Sequence, residues 1–111
     1  MRYSLIALTN SVSGRESDFD QWYDDVQLAG VLNLPGVTGA QRFRQSAQQY
    51  RKKSYSWQSM AVYDIETDDI SRTFTALNGD SGTVAMPLRD ALHVERMVWI
   101  CAPVASAGIP S

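Results

Sequence analysis

One histidine, five tyrosines and one cysteine are the readily recognised reactive groups of this chain, and their positions narrow the chemistry. His93 is the only side chain whose ordinary pKa lies near 6.5, which makes it the natural general acid or base. The competing account is a strand-edge histidine held by backbone or water. Tyr3, Tyr23 and Tyr63 could turn hydroxyls into a cavity and polarise a substrate carbonyl; otherwise their rings fill the core and only the hydroxyls reach its rim. Trp22 and Trp57 would be apolar wall or recognition platform. Arg42 and Arg44 alternate onto one strand face. With Arg51, Lys52 and Lys53 they place five of the ten positive charges between 42 and 53. A carboxylate site is one reading, since guanidinium binds carboxylate through two hydrogen bonds; a solvated hairpin that discourages edge pairing is the other.

Several chemistries are excluded by count and spacing. Asp24 and Asp25 diverge by about 100° on a helix, so they form no direct dyad. A single histidine and a single cysteine leave no metal-ligand constellation, no Ser-His-Asp logic and no internal disulfide. No cofactor is expected, and haem ligation could come only from His93. Cys101, in an apolar stretch, reads as packing rather than nucleophile.

The 111 residues suit one domain with a modest core, over 1–102, and a small-residue tail, 103–111. Net charge is −2, and five acidic residues between Glu16 and Asp25 offset the basic patch, so neither nucleic acid nor an anionic membrane is an expected partner. The apolar run Tyr3–Leu8 is too short for a secretory h-region or a membrane span, and a cytoplasmic location is expected.

The elements that must position these residues can be read in order. Residues 2–9 are a short apolar run typical of a strand buried on both faces. A helix starts near Ser17 as N-cap, with Asp20 at N3. Phe19, Trp22, Tyr23, Val26 and Gly30 form its apolar face, and Pro35-Gly36 ends it. Val37–Arg44 is a strand with Val37, Gly39, Gln41 and Phe43 on one side. Residues 45–56 are a polar hairpin tip, and Trp57–Asp64 is a third strand with Trp57, Ser59, Ala61 and Tyr63 on one face. Thr67 caps a second helix whose stripe is Ile70, Phe74 and Leu77, closed by Asn78-Gly79. Residues 80–85 read as loop, 86–92 as a turn with Pro87 at its first position, and 93–102 as the last strand. The order β-α-β-β-α-β predicts an α+β, ferredoxin-like antiparallel four-stranded sheet with both helices on one face.

Helices can cover only one face, yet the first and last strands carry apolar groups on both. Leu5 and Ala7 oppose Ile6 and Leu8; Val98 and Ile100 oppose Met97, Trp99 and Cys101. Burying the second face on another copy, as a homodimer about a two-fold axis, is the economical expectation.

Trp22-Tyr23, followed by Leu32-x-Leu34-Pro35-Gly36-Val37 and Ala40-Gln41-Arg42-Phe43, resembles the EthD-like branch of the dimeric α/β-barrel superfamily. The resemblance covers residues 2–102 in outline. It implies paired protomers forming a barrel, with a cavity between each sheet and its own helices. Members include cofactor-free cyclases, monooxygenases, isomerases and decarboxylases acting on aromatic or polyketide-like compounds, beside many without known activity. Many relatives carry a histidine a few residues after the Trp-Tyr pair, where this chain has Gln27, which hydrogen-bonds but exchanges no proton near neutral pH.

Two functions follow. In one, a cavity lined by Trp22, Tyr23, Tyr63 and Trp57 holds an aromatic or polyketide-like compound, His93, Tyr63 and Tyr23 handle protons, and Gln27, Tyr3 and Arg42 bind. The other is a non-catalytic dimeric module that binds a small apolar ligand or assists a neighbouring protein; Gln27 favours it.

Overall fold

The computed structural model describes residues 1–52, 55–80, 92–105 and 107–108, with the side chains of 79–80 and 92–95 outside that description. Its elements are β1 (Arg2–Ser11), α1 (Glu16–Trp22), a π-helical turn (Tyr23–Gln27), α2 (Leu28–Leu32), β2 (Val37–Arg44), β3 (Ser59–Glu66), α3 (Ile70–Asp80) and β4 (Leu92–Cys101). The strands form one antiparallel sheet in the order β2-β3-β1-β4. That is the ferredoxin-like α+β arrangement expected from the element order. The expected loop at 81–85 and the turn with Pro87 lie outside the described residues.

Register assigns each side chain to a face. Residues paired across an antiparallel ladder project the same way, so Ala40, Tyr63, Leu5 and Ile100 form one row across the sheet, and Arg42, Ala61, Ala7 and Val98 the next. A third row is Arg44, Ser59, Thr9 and Arg96. These rows face the helices. Leu5, Ala7, Ala61, Tyr63 and Ile65 are buried there with Phe19, Trp22, Tyr23, Val31 and Leu34, and Ile70, Ala76 and Leu77 of α3 pack on the same cluster. The opposite face carries the rows Gln41–Val62–Ile6–Trp99 and Phe43–Met60–Leu8–Met97. No described helix covers it.

The π-helical turn corrects the expected helix face. On a regular helix at about 100° per residue, Val31 would sit about 120° away from Phe19. The wide turn, closed by the Leu28 N–H to the Tyr23 carbonyl, absorbs the extra residue. Val31, not Gly30, is therefore the buried residue, 1% exposed. A bulge between Val37 and Gly39 does the same in β2: Val37 pairs with Ile65 on the helix side, whereas Gly39 pairs with Asp64 on the other. Val37 thus leaves the face it was expected to share with Gly39, Gln41 and Phe43.

Helix starts also differ from expectation. α1 begins at Glu16 rather than after a Ser17 cap, and its N-cap Arg15 makes no side-chain cap bond but pairs with Asp18 at 2.8 Å. Asp20 is drawn instead to the arginines of β2. Asp69, not Thr67, caps α3 by accepting from Ser71 N–H at 3.2 Å, while the Thr67 hydroxyl accepts from Asp69 N–H. The Ser71 hydroxyl also donates to Asp69, and this bonding holds the Asp69 carboxyl below its usual range. In α3 the deeply buried position is Thr73, whose hydroxyl donates to Pro35 O at 2.7 Å; Phe74, expected inside, is exposed.

The Leu34-Pro35-Gly36 corner needs its glycine. Gly36 has φ 82°, and a Cβ there would come within 3.1 Å of Glu66 O. The close approach allows Glu66 N–H to bond Gly36 O at 2.8 Å. The corner thereby joins the end of α2 to the end of β3.

Candidate active site

Between the sheet and its helices lies a cavity of about 210 Å³. β1 supplies Leu5, Ala7 and Thr9, β3 Tyr63, β4 Arg96 and Val98, and α3 Leu77 and Asn78. The helical segment from α1 to α2 supplies Trp22, Tyr23, Gln27 and Val31. Tyr23 and Gln27 are the first and last residues of the π-helical turn, so a local widening of the helix presents both to the cavity. Such turns recur at functional sites.

The wall is aromatic and tightly packed. Tyr23 meets Trp22 edge-on at 5.3 Å and Phe19 at 5.4 Å between ring centroids. The sequence-predicted Trp22, Tyr23, Gln27 and Tyr63 are all brought together here. Trp57 is not: β3 starts at Ser59, so strand alternation does not reach Trp57. Trp57 instead lines a separate groove with Leu8, Phe43 and Met60, residues of the uncovered face. Tyr3 lies outside the cavity as well; its hydroxyl donates to Met1 Sδ at 3.2 Å, and it borders a crevice with Cys101 and Pro103. His93 is on β4, three positions before Arg96, with its side chain outside the described residues. Sequence reading missed Thr9, Asn78 and Arg96. Period-two alternation from Leu5 and Ala7 could have found Thr9; Arg96 emerges only from cross-strand register with it.

Three buried polar atoms of the cavity wall have no hydrogen-bond partner among the described residues: Thr9 Oγ1, Gln27 Oε1 and Tyr63 Oη. Burial pushes both tyrosine hydroxyls above their ordinary range. The neighbouring Tyr23 phenol raises Tyr63 further, whereas Tyr63, Arg42, Thr9 and Arg96 temper the rise at Tyr23. The two phenols lie close enough for a weak hydrogen-bonding influence on each other's titration, although Tyr63 Oη has no partner in full hydrogen-bond geometry among the described residues. At neutral pH both are protonated, so each can donate to a ligand oxygen and neither can act as a ready base.

Arg42 stands behind the aromatic wall. Its guanidinium lies 4.8 Å from the Tyr23 ring centroid and 5.7 Å from that of Phe19. It donates to Asp24 at 2.7 Å and Asp20 at 2.9 Å, and Arg44 donates to the other Asp20 oxygen at 2.6 Å. Burial would raise the Asp20 carboxyl, but the two arginines outweigh it and hold the group below its usual value. Both cations border a larger, open polar cleft of about 760 Å³ shared with Asn10, Glu16 and Gln58. There the charges neutralise one another, which speaks against an anion site. Among the described residues no group of three or more His, Cys, Asp or Glu is placed to hold a metal, and no helix is long and apolar enough to cross a membrane.

No family model matches this chain, and no curated protein matches it. Solved structures do. A candidate monooxygenase from Shewanella loihica PV-4 superposes with a TM-score of 0.64 at 10% identity, covering 95% of this chain and 96% of its own. HapK from Hahella chejuensis gives 0.58 at 16% identity, covering 100% of both chains. An ethyl tert-butyl ether degradation (EthD) family protein from Bacillus halodurans C-125 gives 0.55 at 15%, covering 94% and 100%. At these identities the likeness is one of fold, and it runs the length of the chain. The shared fold is the ferredoxin-like α+β arrangement, in keeping with the likeness carried by the 22–43 segment.

Proposed function

We propose that this protein binds a small, oxygen-bearing aromatic compound in the 210 Å³ cavity and acts on it without a cofactor, by lyase, isomerase, cyclase or monooxygenase chemistry. One observation carries the reading: three residues that line a mostly apolar cavity, Thr9, Gln27 and Tyr63, each hold a buried polar atom with no protein partner among the described residues. Leaving such an atom bare costs about 1–3 kcal/mol, a cost that a bound ligand relieves. The cavity is below the roughly 300–1,000 Å³ of drug-sized sites, so a one- or two-ring compound suits it. Tyr63, neutral and desolvated, would donate to a carbonyl or developing oxyanion, where a preorganised donor in a dry site is most effective. Trp22 and Tyr23 would flank the ring. His93, on the strand that also carries Arg96, is the one side chain with an ordinary pKa suited to proton transfer. The apolar sheet face that no described helix covers supports a homodimer here.

A second reading has its own support. Gln27 cannot exchange protons, and the two buried tyrosines hold theirs, so the described part of the cavity binds without supplying a base. A non-catalytic ligand-binding or accessory module would need no more.

Crystals soaked with small aromatic ketones and acids test the shared premise. Density inside the cavity, with a ligand oxygen within hydrogen-bond distance of Tyr63 Oη, is the expected result; a broad set that never enters would end both readings. The bound ketone, incubated in deuterium oxide, then separates them. Deuterium uptake beside the carbonyl that His93→Ala abolishes supports the enzyme. Binding without uptake supports the module.

A further inference from the structure

The unpartnered polar atoms of the residues lining the cavity differ in kind. The hydroxyls of Thr9 and Tyr63 can each donate a hydrogen bond, so a ligand carrying only acceptors, such as a simple ketone, can satisfy them. Gln27 Oε1 is an acceptor and nothing else. It is buried, it has no hydrogen-bond partner among the described residues, and a ketone leaves it as bare as before. Its placement is enforced, because Gln27 closes the π-helical turn that keeps Tyr23 and Val31 buried on either side of it.

We propose that Gln27 is a specificity-determining residue: its buried carboxamide oxygen selects compounds that bring an N–H or O–H donor into the cavity together with the carbonyl that Tyr63 receives. The ligand class is thereby narrowed to small aromatic compounds bearing a donor and an acceptor at once, such as hydroxyaryl ketones. The inference rests on the small-ligand reading of the cavity and deepens it. A donor meeting a desolvated acceptor favours one ligand over its bare analogue by about tenfold. Neutral partners on both sides would keep that preference nearly independent of salt.

Calorimetric titration of the full chain with acetophenone and with its 2-, 3- and 4-hydroxy derivatives tests this. At least one hydroxy isomer is expected to bind about tenfold tighter than acetophenone. Gln27→Met, which keeps the length and removes the acceptor, should reduce that advantage, read as the ratio of the two affinities in the same variant, to within about twofold. Gln27→Glu, which keeps an acceptor oxygen, should preserve the preference at pH 8 and provides the test if the Met variant does not fold. Acetophenone binding with no isomer preferred would overturn this inference and leave the cavity reading intact. A preference unchanged in Gln27→Met would overturn it too. If no member of the set binds, the cavity reading fails and takes this inference with it.

Discussion

A phenol buried with nothing to donate to is a cost to the folded chain, and Tyr63 is the clearest instance. The residue is 2% exposed, and its hydroxyl lacks a partner among the described residues. Replacing it by phenylalanine removes the desolvated group and keeps the ring. Tyr63→Phe should therefore stabilise the ligand-free protein by about 1 kcal/mol, seen as a rise of roughly 4 °C or more in the thermal midpoint, while weakening carbonyl ligands several-fold. A melting temperature that falls would mean that the hydroxyl is already satisfied in the free protein. Opposite movement of stability and affinity is the signature of a group retained for binding. Thr73 is the contrast: it is equally buried, but its hydroxyl is spent on Pro35 O and holds α3 to the corner after α2.

At the level of elements, the π-helical turn and the arginine cluster do different work. The turn adds one residue between two stretches that otherwise share a face. Deleting the exposed Asp25 should let the segment close as ordinary α-helix while keeping Phe19, Tyr23, Val31 and Leu34 on one stripe. We expect circular dichroism and a thermal midpoint within about 5 °C of the parent, with cavity binding lost. Collapse of the fold would show that the turn is structural. The arginine cluster ties α1 to β2 through Asp20. Because the folded Asp20 carboxyl titrates below its unfolded value, its stabilisation is complete above about pH 4 and fades as pH falls through the folded pKa. Asp20→Asn should thus be less stable than the parent at pH 7, by no more than about 1 kcal/mol for pairs this exposed. The gap should close as pH falls through the folded pKa and shrink in high salt. A gap that is constant with pH would assign the effect to something other than the charge. These features also mark where sequence reading stops. The succession of strands and helices along the chain follows from local pattern and turn chemistry, because period and punctuation are local, whereas a cavity between sheet and helices was implied by the resemblance of the 22–43 segment. Val31, Val37 and Trp57 follow from neither. Each depends on a one-residue irregularity, or on where a strand begins, and tertiary packing decides both. Arg42 could be seen as one of a pair, but its acidic partners sit on another element, and only the fold brings Asp20 and Asp24 to it.

For the molecule as a whole, the decisive fact is that no described helix covers one side of the sheet. Val62, Ile6 and Trp99 form one row there and Phe43, Met60, Leu8 and Met97 the next. Trp99, Met97 and Phe43 are 42%, 50% and 41% exposed in the single chain. Soluble monomers seldom expose a contiguous apolar patch beyond a few hundred Å², and a flat sheet face with alternating side chains is self-complementary about a two-fold axis. The patch is mixed with few charges, of which Asp64 lies toward one end beside Gly39. A second copy laid sheet to sheet would bury both rows and close a barrel. Sedimentation equilibrium at micromolar concentration should accordingly give twice the 12.4 kDa chain mass. Val62→Glu, at the middle of the face, should return it to a single chain mass without loss of secondary structure, since a carboxylate there costs several kcal/mol only when the interface desolvates it. The helix-side cavity faces away from this contact, so ligand affinity per chain should survive in the variant to within a few-fold. Affinity that disappears with the dimer would mean that the partner shapes the site. A parent protein that sediments as a single chain would remove the barrel from the account and leave the cavity standing on its own protomer.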